Sequence, residues 1–170
     1  MLEKSLDYYL ADKPDAALGG KLIAEACQSL KYNRDEYLAQ IGNETIISKL
    51  VETASLWQSP DYELRKLALA ADPKETGFPR EVLAAGLNAC FEEWTQEKFF
   101  HLLNQELGDP TRLQSYGSLS GNSLAMVHGP KLIAQLAPGN LPVPIFQSIA
   151  FGLLLRSAQF VKCASGKSLL

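Results

Sequence analysis

The sequence predicts an α/β fold, a helical N-terminal region followed by a strand–helix–strand unit of a parallel sheet. Three observations carry this. First, the apolar run Leu132 to Leu136 stops at a Pro-Gly-Asn-Leu-Pro turn, an amphipathic run of about sixteen residues follows, and a second apolar run, Phe160 and Val161, ends in Lys162. Second, the interval from Asn140 to Gln159 has the length of a helical crossover, which returns a strand parallel to its neighbour. Third, the chain ahead of this unit reads as helix after helix.

In chain order, Leu2, Leu6, Tyr9 and Leu10 form one apolar stripe that stops before Pro14. Asp15 is placed to cap a second helix carrying Leu18, Leu22, Ala26 and Leu30, with Gly19 and Gly20 weakening its first turns. A short helix from Asp35 to Ile41 ends at Gly42. Asn43 then caps a longer helix with Ile46, Ile47, Leu50, Val51, Ala54 and Trp57 along one side. Ser59-Pro60 begins another, with Pro60 at the first helical position and Leu64, Leu67, Ala68 and Ala71 facing inward. Residues 72–77 are the most loop-like stretch and a candidate boundary. From Pro79 to Leu107 the spacing is helical again, long enough to predict a break around Thr95, and Gly108-Asp109-Pro110 ends it. Ser, Gly and Asn crowd positions 115–123 as a loop, followed by an edge strand over Leu124 to Val127 and a Gly129-Pro130 turn. The longest apolar run, Val143 to Leu155, contains Gln147 and Ser148 and is closed by Arg156, as expected of a helix buried against a sheet. These readings divide the chain into a helical region 1–74, a long helix and loop 75–123, and a strand–helix–strand unit 124–170.

Composition narrows the function classes. Hydrophobic residues at 46% and charged residues at 21% describe a globular protein with a real core. A net charge of −3 and scattered Lys31, Arg34, Arg65, Lys66 and Arg80 give no basic face, which argues against nucleic acid as a partner. Cys27, Cys90 and Cys163 form neither a disulfide framework nor a metal-ligand cluster, and fit a reducing, cytoplasmic setting. No run reaches the length of a membrane span, and the N-terminus lacks the apolar core of a signal peptide.

Chemistry concentrates at two strand ends. Asn140 and Lys162 are expected at the carboxyl ends of neighbouring parallel strands, the edge where open α/β sheets bind nucleotide cofactors. Pro138 and Pro142 stiffen the turn around Gly139, so the Asn140 amide sits on a short rigid loop, suited to donate toward developing negative charge. Lys162 offers three donors on a long arm to ribose hydroxyls or phosphate. A surface turn and a solvated lysine satisfy the same spacing. Gly166-Lys167-Ser168 matches the end of a phosphate-binding loop, but the glycine that loop needs falls on Val161. His101 and His128 lack ligand partners at metal-binding spacing, and Glu92, Glu93 and Glu97 share one solvated helix face.

The order of motifs is also informative: PGNLP, an amphipathic helix, then FVKCAS, preceded by ETGFPREVLAAGLNACFEEWTQEKFFHLLNQELGD and the Gly129-Pro130 turn. Together these resemble the aldehyde dehydrogenase superfamily, whose pattern is Pro-Trp-Asn-x-Pro, a helix, and a strand ending Lys-Pro-Ser-Glu. Gly in place of Trp, and a long helical region ahead of it, resemble more closely the acyl-CoA reductase family typified by the fatty acid reductase of luminous bacteria. The resemblance is best over residues 75–170, and it implies that 124–170 begins an aldehyde-dehydrogenase-like dinucleotide-binding domain.

It further implies that Asn140 stabilises an oxyanion, that Pro138 and Lys162 belong to the cofactor site with Lys162 on the adenosine ribose, and that Ser165 stands where the pattern has Glu. Replacing that carboxylate removes repulsion of a 2′-phosphate, which makes NADPH at least as plausible as NADH. Gly139 for Trp, and Cys163-Ala164 for Pro-Ser, depart from the superfamily pattern.

By the same resemblance, the intact enzyme reduces an acyl-CoA or acyl-protein thioester to a fatty aldehyde through an acyl-cysteine intermediate, with an acyl-activating protein as a partner in the luminescent systems. The family's nucleophilic cysteine lies beyond Lys162, in sequence this chain does not contain, and Cys163 sits at the adenosine end of the site. The chain is therefore expected to be the N-terminal part of the reductase, a fragment inactive alone, whose uncovered strands and helix faces favour self-association. The rival expectation is a non-catalytic helical interaction module or a truncated, inactive product.

Overall fold

The computed structural model describes residues 19–71, 73–119, 123–137 and 143–162. The predicted stripe over Leu2 to Leu10 and the cap at Asp15 lie outside the described residues. The first described helix, α1 (Gly20–Asn33), runs without interruption into a π-helical turn, Arg34–Leu38, where a separate short helix was expected. Helix α2 (Asn43–Gln58) buries Ile46, Ile47, Leu50 and Ala54, the stripe read from its spacing.

Two local expectations are corrected. Gly42, not Asn43, is the N-cap of α2, and the Asn43 side chain is used elsewhere. Residues 59–62 form a turn in which the Ser59 hydroxyl accepts from the Asp61 N–H at 3.3 Å, so α3 (Glu63–Leu69) starts three residues beyond Pro60. The register shift turns Leu64 outward, 51% exposed, and buries Arg65, 7% exposed, whose guanidinium donates to the Trp57 carbonyl and to Asn88 Oδ1.

After the single turn α4 (Pro73–Thr76), the long apolar pattern forms two helices, α5 (Arg80–Glu92) and α6 (Gln96–Leu107). The break falls where expected. Thr95 caps α6 by accepting from the Lys98 N–H at 3.2 Å, and Gly108, at φ 72°, ends it. A 3₁₀ turn, Pro110–Leu113, leads into an antiparallel hairpin of β1 (Gly117–Leu119) and β2 (Ser123–Ala125). The expected loop over 115–123 thus contains a strand, and the expected edge strand is its partner, shortened because the Val127 N–H turns away to the Arg112 carbonyl at 2.7 Å.

The C-terminal unit matches its sequence signature closely. β3 (Leu132–Leu136) and β4 (Ala158–Lys162) pair in parallel, from Leu132 opposite Ala158 to Leu136 opposite Lys162, with α7 (Val143–Leu154) as the crossover. Helix α1 rests against both strands, and α7 packs against β4, α2 and α5. One hydrophobic core takes side chains from α2, α5, α6, the 3₁₀ turn and α7, centred on Phe91, Ile47 and Leu87. Among the described residues, no helix is long and apolar enough to cross a membrane.

Candidate functional site at the carboxyl edge of the parallel strands

The register of β3 and β4 brings their carboxyl ends level. Leu136 lies opposite Lys162, and the Ala137 N–H donates to the Lys162 carbonyl at 2.9 Å, extending the pairing one step past β3. The two strands thus end side by side, and Lys162 closes β4 as an exposed residue. Of the expected site residues, Lys162 is at this edge, while Pro138, Asn140 and Ser165 lie outside the described residues.

Beside the edge, an open groove of about 500 Å³ runs between β3 and α7. Ile133, Leu136, Pro144, Ile145 and Phe151 make it largely apolar, and Gln135 and Ser148 add polar groups. Gln135 and Gln159 stack beneath α7. Gln135 Nε2 donates to Gln159 Oε1, and Gln159 Nε2 donates to the Ile149 carbonyl at 2.8 Å. Gln135 Oε1 is buried and has no hydrogen-bond partner among the described residues. Gly152 makes room for this pair, since a Cβ there would lie 2.5 Å from the Gln159 side-chain carbonyl carbon.

The opposite, amino edge of the strands holds a polar cluster that sequence reasoning missed. Arg156 is 4% exposed and, at φ 55°, is the one non-glycine residue with positive φ among the described residues. That conformation costs an L-residue about 1–2 kcal/mol. Its Nε donates to the Ile41 carbonyl at 2.8 Å, Nη1 to the Leu154 carbonyl at 3.2 Å, and Nη2 to Asn43 Oδ1 at 2.7 Å and Gln114 Oε1 at 3.3 Å. Burial and the neighbouring Arg34 cation hold the guanidinium below its ordinary pKa, yet a guanidinium stays charged. Asn43 completes the cluster, donating Nδ2 to the Pro110 carbonyl at 2.9 Å and its N–H to Gln114 Oε1 at 2.8 Å.

Two consecutive residues of the π-helical turn extend it. Arg34 Nε donates to the Arg156 carbonyl at 2.7 Å, and the Asp35 carboxylate takes Arg34 Nη1 and Lys131 Nζ, each at 2.6 Å. The hydrogen bonds from Lys131 and Arg34 hold the Asp35 carboxyl below the usual carboxylate range. The sequence signal was a cation closing an otherwise apolar run, FGLLLRSAQFV, which marks a buried charge with assigned partners.

A family model, acyl-CoA reductase (LuxC), matches residues 38–170. The chain belongs to this family. A search of curated proteins and a search of solved structures each return no match. The match runs from the end of the π-helical turn through α2 to α7 and all four strands, so the parallel unit and the helical core both lie within the LuxC-family region. The family's class of reaction is the reduction of an acyl-CoA, an acyl thioester.

Proposed function

We propose that the chain supplies the adenosine-ribose side of a nicotinamide site and the oxyanion donor of a fatty acyl-CoA reductase that forms a fatty aldehyde. The observation that supports it is the parallel strand pair connected through a helix, whose carboxyl ends, Leu136 and Lys162, are level. In this reading residues 124–170 begin the dinucleotide-binding domain. Lys162 donates to ribose hydroxyls, Pro138 stiffens the turn at the cofactor site, and Ser165 leaves room for a 2′-phosphate, which favours NADPH over NADH. The cofactor, when bound, supplies hydride.

The Asn140 amide stabilises the oxyanion formed when a thiolate attacks the acyl carbonyl, a contribution of about 3 kcal/mol for donors of this kind. Burial pushes the Cys90 thiol up, which disfavours its reactive form.

NADPH titration of the protein, followed by amide chemical shifts, tests the reading. Shifts are expected at Leu136, Ala137 and Lys162. Lys162→Ala should weaken binding by roughly tenfold or more, the loss of one charge-assisted hydrogen bond. Absence of any response to both NADPH and NADH would remove the proposal.

A further inference from the structure

No hairpin turn sets the register of β3 against β4. A hairpin's turn dictates which residues pair, but these strands are parallel, five residues each, and separated by a twelve-residue helix. Besides the Gln135–Gln159 hydrogen bond between the strands, the structure offers anchoring at the amino edge. The start of β4 is held twice at Arg156, whose carbonyl accepts from Arg34 and whose guanidinium binds the Ile41 carbonyl, Asn43 and Gln114. The start of β3 is held by the Lys131–Asp35 ion pair. The two strand starts are joined to each other where the Ala158 N–H donates to the Lys131 carbonyl at 3.2 Å. Arg34 and Asp35 are adjacent in the π-helical turn, so one element of the helical region grips both strands.

Arg156 is the costly member of this arrangement. Glycine would take φ 55° without strain, and an apolar side chain would avoid burying a cation among neutral acceptors. Local strain of this kind persists where the surroundings over-determine it.

We propose that Arg156 is a positioning residue, and that the clamp it forms with the Arg34–Asp35 turn sets the β3–β4 register and so holds Leu136 and Lys162 level at the opposite edge. A one-residue slip would displace Lys162 by about 3.3 Å and turn it to the other face. The functional weight of the clamp rests on the nicotinamide-edge reading above; the register claim itself does not.

The test measures amide hydrogen exchange in the whole chain carrying Arg156→Gly, a substitution that relieves the backbone while deleting the guanidinium, and in Asp35→Asn, an exposed change that weakens the β3 anchor. The informative amide is Ala137, which donates to Lys162 at the far edge. Exchange at Ala137 is expected to accelerate roughly tenfold or more in Arg156→Gly, and by less in Asp35→Asn, in each case by more than at core amides of α2 and α5. NADPH affinity should fall in parallel. If faster exchange stays confined to residues 156–158, Arg156 holds only its own corner and the proposal is overturned. If Arg156→Gly does not fold, Asp35→Asn decides alone, since unchanged exchange at Ala137 in that variant overturns the clamp. Failure of the unsubstituted protein to bind NADPH would remove the cofactor reading, while the exchange result would still decide the clamp.

Discussion

Gly129 shows what one residue does at the corner where the parallel unit begins. A Cβ added there would lie 2.3 Å from the Leu155 carbonyl oxygen and 2.8 Å from both Leu155 Cβ and Ser157 Oγ. The nearest of these atoms is backbone and Leu155 Cβ is fixed to that backbone, so rotating the Ser157 hydroxyl away would not relieve the clash. Gly129→Ala is expected to destabilise the fold by about 1–3 kcal/mol, the range for overpacking, visible as a lower urea midpoint. The turn at Gly129-Pro130 could be read from the sequence. The reason glycine is needed could not, because the atoms it avoids lie 26 to 28 positions further along the chain.

At the scale of elements, the clearest signals were those completed within a few residues. The break between α5 and α6 was legible because Thr95 caps with its own near neighbour, Lys98. Thr95→Ala should remove that cap and cost about 1 kcal/mol, measured by thermal melting, with fraying of the first turn of α6 seen in amide exchange. β3 and α7 were legible for the same reason, being apolar runs bounded by turn residues. The start of α3 was not, because the Ser59 hydroxyl competes for the backbone just where Pro60 would open a helix. Nor was the N-cap of α2. Asn43 has the right chemistry to cap, but its side chain is committed to Pro110 and Arg156, and Gln114 takes its N–H from across the molecule.

For the whole molecule, the helical region and the parallel unit share one core. Phe91 of α5 stacks on Trp57 of α2 at 5.5 Å between ring centroids, meets Trp94 at 5.0 Å, and contacts Phe146 of α7 at 5.5 Å. Emptying that position should therefore loosen the parallel unit along with the helices. Phe91→Ala is expected to cost about 3–5 kcal/mol. The loss should appear as a single transition, followed both by tryptophan fluorescence and by protection of Ala137 at the strand edge, rather than as two separate steps.

From the sequence alone came the α/β class, the strand–helix–strand unit, the position of Lys162 at a strand's end, and the resemblance to acyl-CoA reductases that the family match over residues 38–170 bears out. Each rests on periodicity or on motifs a few residues long, which the chain encodes locally. Only the tertiary structure decided where Arg34, Asn43, Arg65 and Arg156 spend their hydrogen bonds, and that the two strand starts are gripped by one turn of helix. A buried polar group must find its partner wherever the fold brings one, and here, apart from the adjacent Leu153 and Leu154 carbonyls, the partners of Arg156 stand 42 to 122 positions away from it.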